Sequence, residues 1–97
     1  MEKLHFEYPA SQPVKQRAHV GVVGSGDLEV LLEPSRDDTA QVSVTTSVDG
    51  FGQTWKLVMD RFFSRYQYAA SIEINDFGAT PGAVTLRLEQ AVERSLV

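Results

Sequence analysis

Apolar and polar positions alternate along several stretches in the first half of the chain. Leu4, Phe6 and Tyr8 recur at every second residue, the repeat of a strand with one face buried. Pro9 and Pro13 bracket Ala-Ser-Gln, so this strand lies at a sheet edge or stops there. Ala18, Val20 and Val22 share one face of Arg17–Val23, and Leu28, Val30 and Leu32 share one face of Asp27–Glu33. Between these runs stands Gly24-Ser25-Gly26, which predicts a tight hairpin turn. Either glycine can take the positive φ such a turn needs. Pro34-Ser-Arg-Asp-Asp38 is a turn by composition. Alternation returns from Ala40 to Thr46, with Val42, Val44 and Thr46 inward and Gln41, Ser43 and Thr45 outward. Three consecutive strands with short links predict an antiparallel meander.

The period then changes. Phe51, Trp55, Val58, Met59, Phe62 and Tyr66 fall on one helical face, with Lys56, Asp60, Arg61 and Arg65 on the solvated side. Asp49 and Gly50 are the expected entry residues. An aromatic stripe of this kind reads as the face that covers a sheet rather than as a ligand pocket. Ser71–Asp76 reads as a further strand with Ile72 and Ile74 inward, and Asn75-Asp76-Phe77-Gly78 as a turn. Thr80 followed by Pro81 is a helix start, a capping hydroxyl before a proline in the first helical position. Val84, Leu88, Ala91, Val92 and Leu96 then form an apolar face, while Glu89, Glu93 and Arg94 face water. The order is roughly β-β-β-α-β-α, with an added N-terminal strand. It predicts a small two-layer α+β domain: a mostly antiparallel sheet with two helices on one face.

Composition narrows the chemistry. At 97 residues, 1–97 is expected to form a single domain. The formal net charge is −4, and the nine basic residues are scattered without a basic stripe, which argues against nucleic acid. No apolar run reaches the length of a membrane span and no secretory core is visible, so a cytoplasmic, membrane-free protein is expected. Cysteine is absent, which excludes disulfides, thiolate metal sites and a cysteine nucleophile. His5 and His19 lack metal-ligand spacing, no Ser-His-Asp constellation can be placed, and Asp37 and Asp38 read as solvated turn residues. No metal site and no catalytic residue are therefore expected.

Ser25 is the one candidate for chemistry. Its setting, Val-Gly-Ser-Gly-Asp between two strands, is not the Gly-x-Ser-x-Gly elbow of a hydrolase, which joins a strand to a helix. By itself a Gly-Ser-Gly tip can mean only a turn. Asp27 and Glu29 are expected to flank the tip on one face, either as strand solubility with a turn hydrogen bond from Asp27, or as an acidic rim that guides basic partners.

The longer string Arg17-Ala-His-Val-Gly-Val-Val-Gly-Ser-Gly-Asp-Leu-Glu-Val-Leu-Leu-Glu33 resembles the acyl carrier (delta) subunit family of malonate decarboxylases. Thr46-Ser-Val-Asp-Gly-Phe51 with Trp55 following, and Ile74-Asn-Asp-Phe-Gly-Ala-Thr-Pro-Gly82, agree with the same family, so the likeness spans nearly the whole chain. A weaker likeness to the citrate lyase acyl carrier covers the serine turn and the Asn-Asp-x-Gly-Ala segment. The resemblance implies a non-catalytic carrier in which Ser25 holds a phosphoribosyl-dephospho-coenzyme A prosthetic group through a phosphodiester. The thiol of that arm would hold acetyl and malonyl thioesters during malonate decarboxylation to acetate and carbon dioxide. The implied partners are the acyl-transferase and decarboxylase subunits, a prosthetic-group transferase and a malonyl transferase. Two other readings stay open: a citrate lyase-type carrier, and an unmodified accessory or assembly subunit. The helical-bundle carriers of fatty-acid synthesis place their serine in Asp-Ser-Leu at a helix start, whereas Asp27 falls two residues after Ser25, so that fold is not expected.

Overall fold

A computed structural model describes residues Met1–Val97. The strands are β1 (Glu2–Pro9), β2 (Gln12–Pro13), β3 (Ala18–Gly21), β4 (Leu28–Pro34), β5 (Thr39–Thr46) and β6 (Tyr68–Asp76). The helices are α1 (Gly52–Arg65) and α2 (Pro81–Ser95). The main sheet runs β1-β5-β6-β4-β3, and the two-residue β2 pairs in parallel with β6.

The expected α+β architecture is present, with one correction to its topology. β3 and β4 do form an antiparallel hairpin, Val20 opposite Val30. β5 does not continue it as a meander. β6 lies between β4 and β5, antiparallel to the first and parallel to the second. The sheet is therefore mixed. The physical cause is α1: a strand–helix–strand crossover returns the chain in its original direction and sets the second strand parallel to the first.

Alternation decides which face the helices cover. Leu28, Val30 and Leu32 on β4, Val42 and Val44 on β5, and Ile72 and Ile74 on β6 are all buried. Trp55, Met59, Phe62 and Phe63 from α1, and Val84, Leu88, Ala91 and Val92 from α2, close over them. Phe63 joins this core from outside the predicted stripe, and Phe51 at the start of the stripe is exposed. The opposite sheet face carries polar residues such as Ser43, Ser71 and Glu73.

The edge position of β1 agrees with its prolines. Leu4, Phe6 and Tyr8 are half-buried against the core. The Tyr8 ring stacks on Phe63 at 4.8 Å, and its hydroxyl donates to Asp60 Oδ1 at 2.6 Å. Burial, then that hydrogen bond, push the phenol well above its ordinary value. The predicted cap of α2 is also present: Thr80 Oγ1 accepts from the Ala83 N–H at 3.2 Å, with Pro81 opening the helix. At α1 the expected Asp49-Gly50 entry gives way to Phe51 as the N-cap residue, and no side chain caps it.

Strand direction sets the functional geography. β3, β5 and β6 end, and β1 and β4 begin, at the same edge of the sheet, where Glu2, Thr46, Asp76 and Leu28 form one row. Both helices also start there. The serine loop, the β5–α1 connection and the β6–α2 connection thus share one end of the molecule.

Candidate functional site: the Ser25 loop

The β3–β4 connection is longer than a tight turn. β3 stops at Gly21, so Val22 and Val23, expected within the strand, lie in a six-residue loop and are 59% and 60% exposed. Gly21 ends the strand for a steric reason. Its φ is +82°, and a Cβ there would sit 2.0 Å from the Leu28 carbonyl oxygen. No side chain larger than hydrogen fits without moving the hairpin backbone.

Within the loop, the Asp27 N–H donates to the Gly24 carbonyl at 3.1 Å and closes a four-residue turn. Ser25 and Gly26 are its central residues. Gly26 takes φ +78°, while Ser25, like every non-glycine residue here, keeps a negative φ. This is the pattern of a type II turn, in which glycine takes the third position. Ser25 is exposed, and no group of the chain hydrogen-bonds its hydroxyl. The side chain therefore stands in water on a backbone whose shape is fixed.

Two further elements hold that backbone. The Gly26 N–H donates to the Phe77 carbonyl at 2.7 Å, and the Phe77 N–H returns to the Asp27 carbonyl at 2.9 Å. The β6–α2 connection is thereby bonded to the turn. That connection is itself ordered by Asp76, which is buried. Its carboxylate accepts from the Gly78 N–H at 3.2 Å, the Ala79 N–H at 3.0 Å and the Thr46 hydroxyl at 2.8 Å. On the other side, Asp27 accepts from its neighbour Leu28 N–H at 2.7 Å and from Arg87 of α2, at 2.9 Å from Nη2 and 3.3 Å from Nε. The Arg87 hydrogen bonds, then the Leu28 N–H, hold the Asp27 carboxyl below its usual value.

Asp27 and Glu29 do not form a joint rim. Asp27 turns toward α2, whereas Glu29 lies on the open sheet face, accepting from Asn75 Nδ2 at 2.9 Å and meeting His19 Nε2 at 3.0 Å. The expected arrangement fails because Asp27 lies just outside β4, where strand alternation no longer applies. Both acids have internal partners, which favours the structural reading of each. His19 sits on the sheet face beside Glu29, and His5 approaches Ser43 Oγ at 3.5 Å. Asp37 and Asp38 are exposed. No three His, Asp or Glu side chains converge as a metal site.

Sequence reasoning locates Ser25 and Gly26 but misses Gly21, Phe77, Asp76 and Arg87 as parts of the same site. Asp76 carries a usable signal, since an aspartate followed by Phe-Gly-Ala is able to accept the backbone N–H groups two and three residues on. The Asp27–Arg87 pair carries none, because it joins residues sixty positions apart. What the geometry provides is an unengaged primary hydroxyl on a clamped turn, without a neighbouring base to make it a nucleophile.

Comparisons with known proteins address the whole chain. The model of the family described as malonate decarboxylase delta subunit matches residues 15–95. The malonate decarboxylase acyl carrier protein of Azotobacter vinelandii is 54% identical over 94 residues, covering 96% of this chain and 95% of that protein. Its counterpart in Pseudomonas syringae pv. tomato is 57% identical with the same coverage. A chain in the crystal structure of a Pseudomonas malonate decarboxylase hetero-tetramer in complex with malonate superimposes with a TM-score of 0.92 at 53% identity. The match covers 97% of this chain and 98% of that one.

Proposed function

The chain belongs to the malonate decarboxylase acyl carrier (delta subunit) family, whose members are non-catalytic carriers, and from that premise we propose that Ser25 is the residue through which it carries its load. The observation that supports this most is the Ser25 hydroxyl itself, exposed and unengaged on a turn held by glycine, Phe77 and Arg87. The reading assigns Ser25 a phosphodiester-linked phosphoribosyl-dephospho-coenzyme A group. When attached, this arm supplies the thiol that the cysteine-free chain lacks, and so allows acetyl and malonyl groups to be held as thioesters.

The residues of this chain then have positional roles. Gly24 and Gly26 leave the hydroxyl uncrowded, so that a prosthetic-group transferase can reach it. Gly21, Asp27, Arg87 and Asp76 hold the turn in one geometry, which lets enzymes of different shape meet the same attachment point. Donors for an enolate oxygen belong to the decarboxylase partner, since nothing around Ser25 presents a preorganised pair. Tethering raises the local concentration of the carried acyl group to the order of mM at each partner it can reach.

The related hetero-tetramer places a chain of this fold among other malonate decarboxylase subunits. We extend that to this chain: its partners are an acyl (malonyl) transferase and the decarboxylase subunits, with a dedicated transferase that attaches the arm. No helix is long and apolar enough to cross a membrane, and a cytoplasmic location is the reading we adopt. The test is a Ser25→Ala substitution in the native host. The variant is expected to fold and to join its complex, to lack the adduct mass, and to abolish malonate decarboxylation. An adduct that persists in Ser25→Ala, or full activity without it, would refute the assignment.

A further inference from the structure

Beside the serine loop lies a cavity of about 270 Å³, open at one side. Its walls are mainly apolar: Val48, Phe51, Trp55 and Val58 from the start of α1 and the connection before it, and Ala79 and Val84 from the far side. Two of the larger residues at this end, Phe51 and Val48, are 52% and 38% exposed. An aromatic ring and a valine are thus left partly in water at the end of the molecule that also carries Ser25.

We propose that this cavity receives the uncharged, acetyl-thioester end of the arm attached to Ser25, sheltering it between visits to partner subunits. The proposal rests on the reading of Ser25 as the attachment residue. Position argues for this occupant. Gly78 belongs to the cavity wall, and a Cβ placed on Gly78 would lie 3.9 Å from the amide nitrogen of Gly26, the residue after Ser25. The hydrogen bonds joining Gly26, Asp27 and Phe77 hold loop and wall together. Ser25 is thus one residue away from a backbone atom that touches the cavity wall, well within the span of a long flexible arm.

Size and chemistry agree. A sealed apolar cavity of about 150 Å³ takes up benzene, so 270 Å³ accommodates an acetyl group, its sulfur and a few adjoining atoms. It is smaller than the sites that enclose whole cofactors, which begin at about 300 Å³; the nucleotide part of the arm stays outside. An anion would meet apolar walls and the Asp76 carboxylate in the lining, at a desolvation cost. A neutral thioester does not. Because the tether supplies an effective concentration of order mM, a weak intrinsic affinity suffices to keep the end docked for much of the time.

The test uses the full chain and two probes. S-acetylpantetheine is titrated to about 10 mM, a few times the tethered concentration, into the unmodified protein. Trp55 emission and backbone amide shifts are followed. Trp55 is the sole tryptophan and lines the cavity, so its signal is unambiguous. Separately, hydroxylamine cleavage of the acetyl thioester on native, mass-verified protein is compared with cleavage of free acetyl-coenzyme A. The expected result is saturable change centred on Val48, Trp55, Ala79 and Val84. Cleavage should be about threefold slower on the protein, as for an end docked two thirds of the time. Filling the cavity by Ala79→Leu or by Val58→Phe should remove both effects. No response of these residues to the free probe, with the tethered thioester cleaved at the free rate, would overturn the proposal. Native protein lacking an adduct on Ser25 would remove the attachment reading, while the free-probe titration still decides whether the cavity binds.

Discussion

Gly21 and Gly26 both take positive φ, yet for different reasons, and substitution separates them. At Gly26 nothing lies within 4 Å of the place an added methyl group would occupy, so Gly26→Ala meets only the backbone penalty, about 1–2 kcal/mol. At Gly21 the same penalty is joined by collision with the Leu28 carbonyl, and Gly21→Ala is expected to cost about 3 kcal/mol or more. Denaturant unfolding of the two variants checks the order; equal losses would contradict it. Asp27 gives a prediction in pH. Its carboxyl is held below its ordinary 3.8 by Arg87 and the Leu28 N–H. The pair therefore contributes stability in full above that value, and the contribution fades as pH falls through the lowered native value. The stability difference between wild type and Asp27→Asn should be constant above about pH 5 and shrink in more acid solution. A difference that grows on acidification would contradict the assignment. The turn around Ser25 is legible in the sequence because its glycines and its closing Asp27–Gly24 hydrogen bond are local. Arg87 is not, because only the packing of α2 across the sheet brings it to Asp27.

The elements are legible for the same reason and their arrangement is not. Alternation marks β4, β5 and β6, and the Thr80-Pro81 pair marks the start of α2. Thr80→Ala should cost about 1 kcal/mol by removing the one side-chain cap at either helix start, measurable as a lowered Tm. What alternation cannot say is which strand lies beside which. The parallel pairing of β6 with β5 follows from the crossover through α1, and a strand–helix–strand reading of Ala40–Asp76 would have found it; the antiparallel contact of β6 with β4 is set by the packing of the whole sheet. Gly21 misleads in the opposite way: Val22 and Val23 continue the apolar pattern of β3, but the positive φ before them ends the strand. The connection after β6 depends on Asp76. Asp76→Asn presents an amide that donates where three donors already point, and is expected to destabilise by about 2–3 kcal/mol. Amide exchange at Gly26 and Phe77, which the connection holds to the serine turn, should quicken with it. Unchanged protection at both would show that the turn stands without this support.

At the scale of the whole molecule, the fold gathers its irregular segments at one end. Three connections and both helix starts meet there, beside the exposed Ser25 hydroxyl and an apolar cavity. The rest of the domain, with its sealed core and polar outer sheet face, serves to keep that end rigid. On the proposed reading of Ser25, such a carrier gives its partners a fixed anchor and leaves motion to what is anchored. The relatives and the related hetero-tetramer fix the family; the anchor is the claim that remains to be measured. Intact mass of the subunit taken from active native complex, followed by fragmentation to the modified residue, reads it directly. One added phosphoribosyl-dephospho-coenzyme A group is expected, its phosphate on Ser25. An active complex whose subunit has the bare mass of the sequence, or whose adduct maps to another side chain, would contradict it.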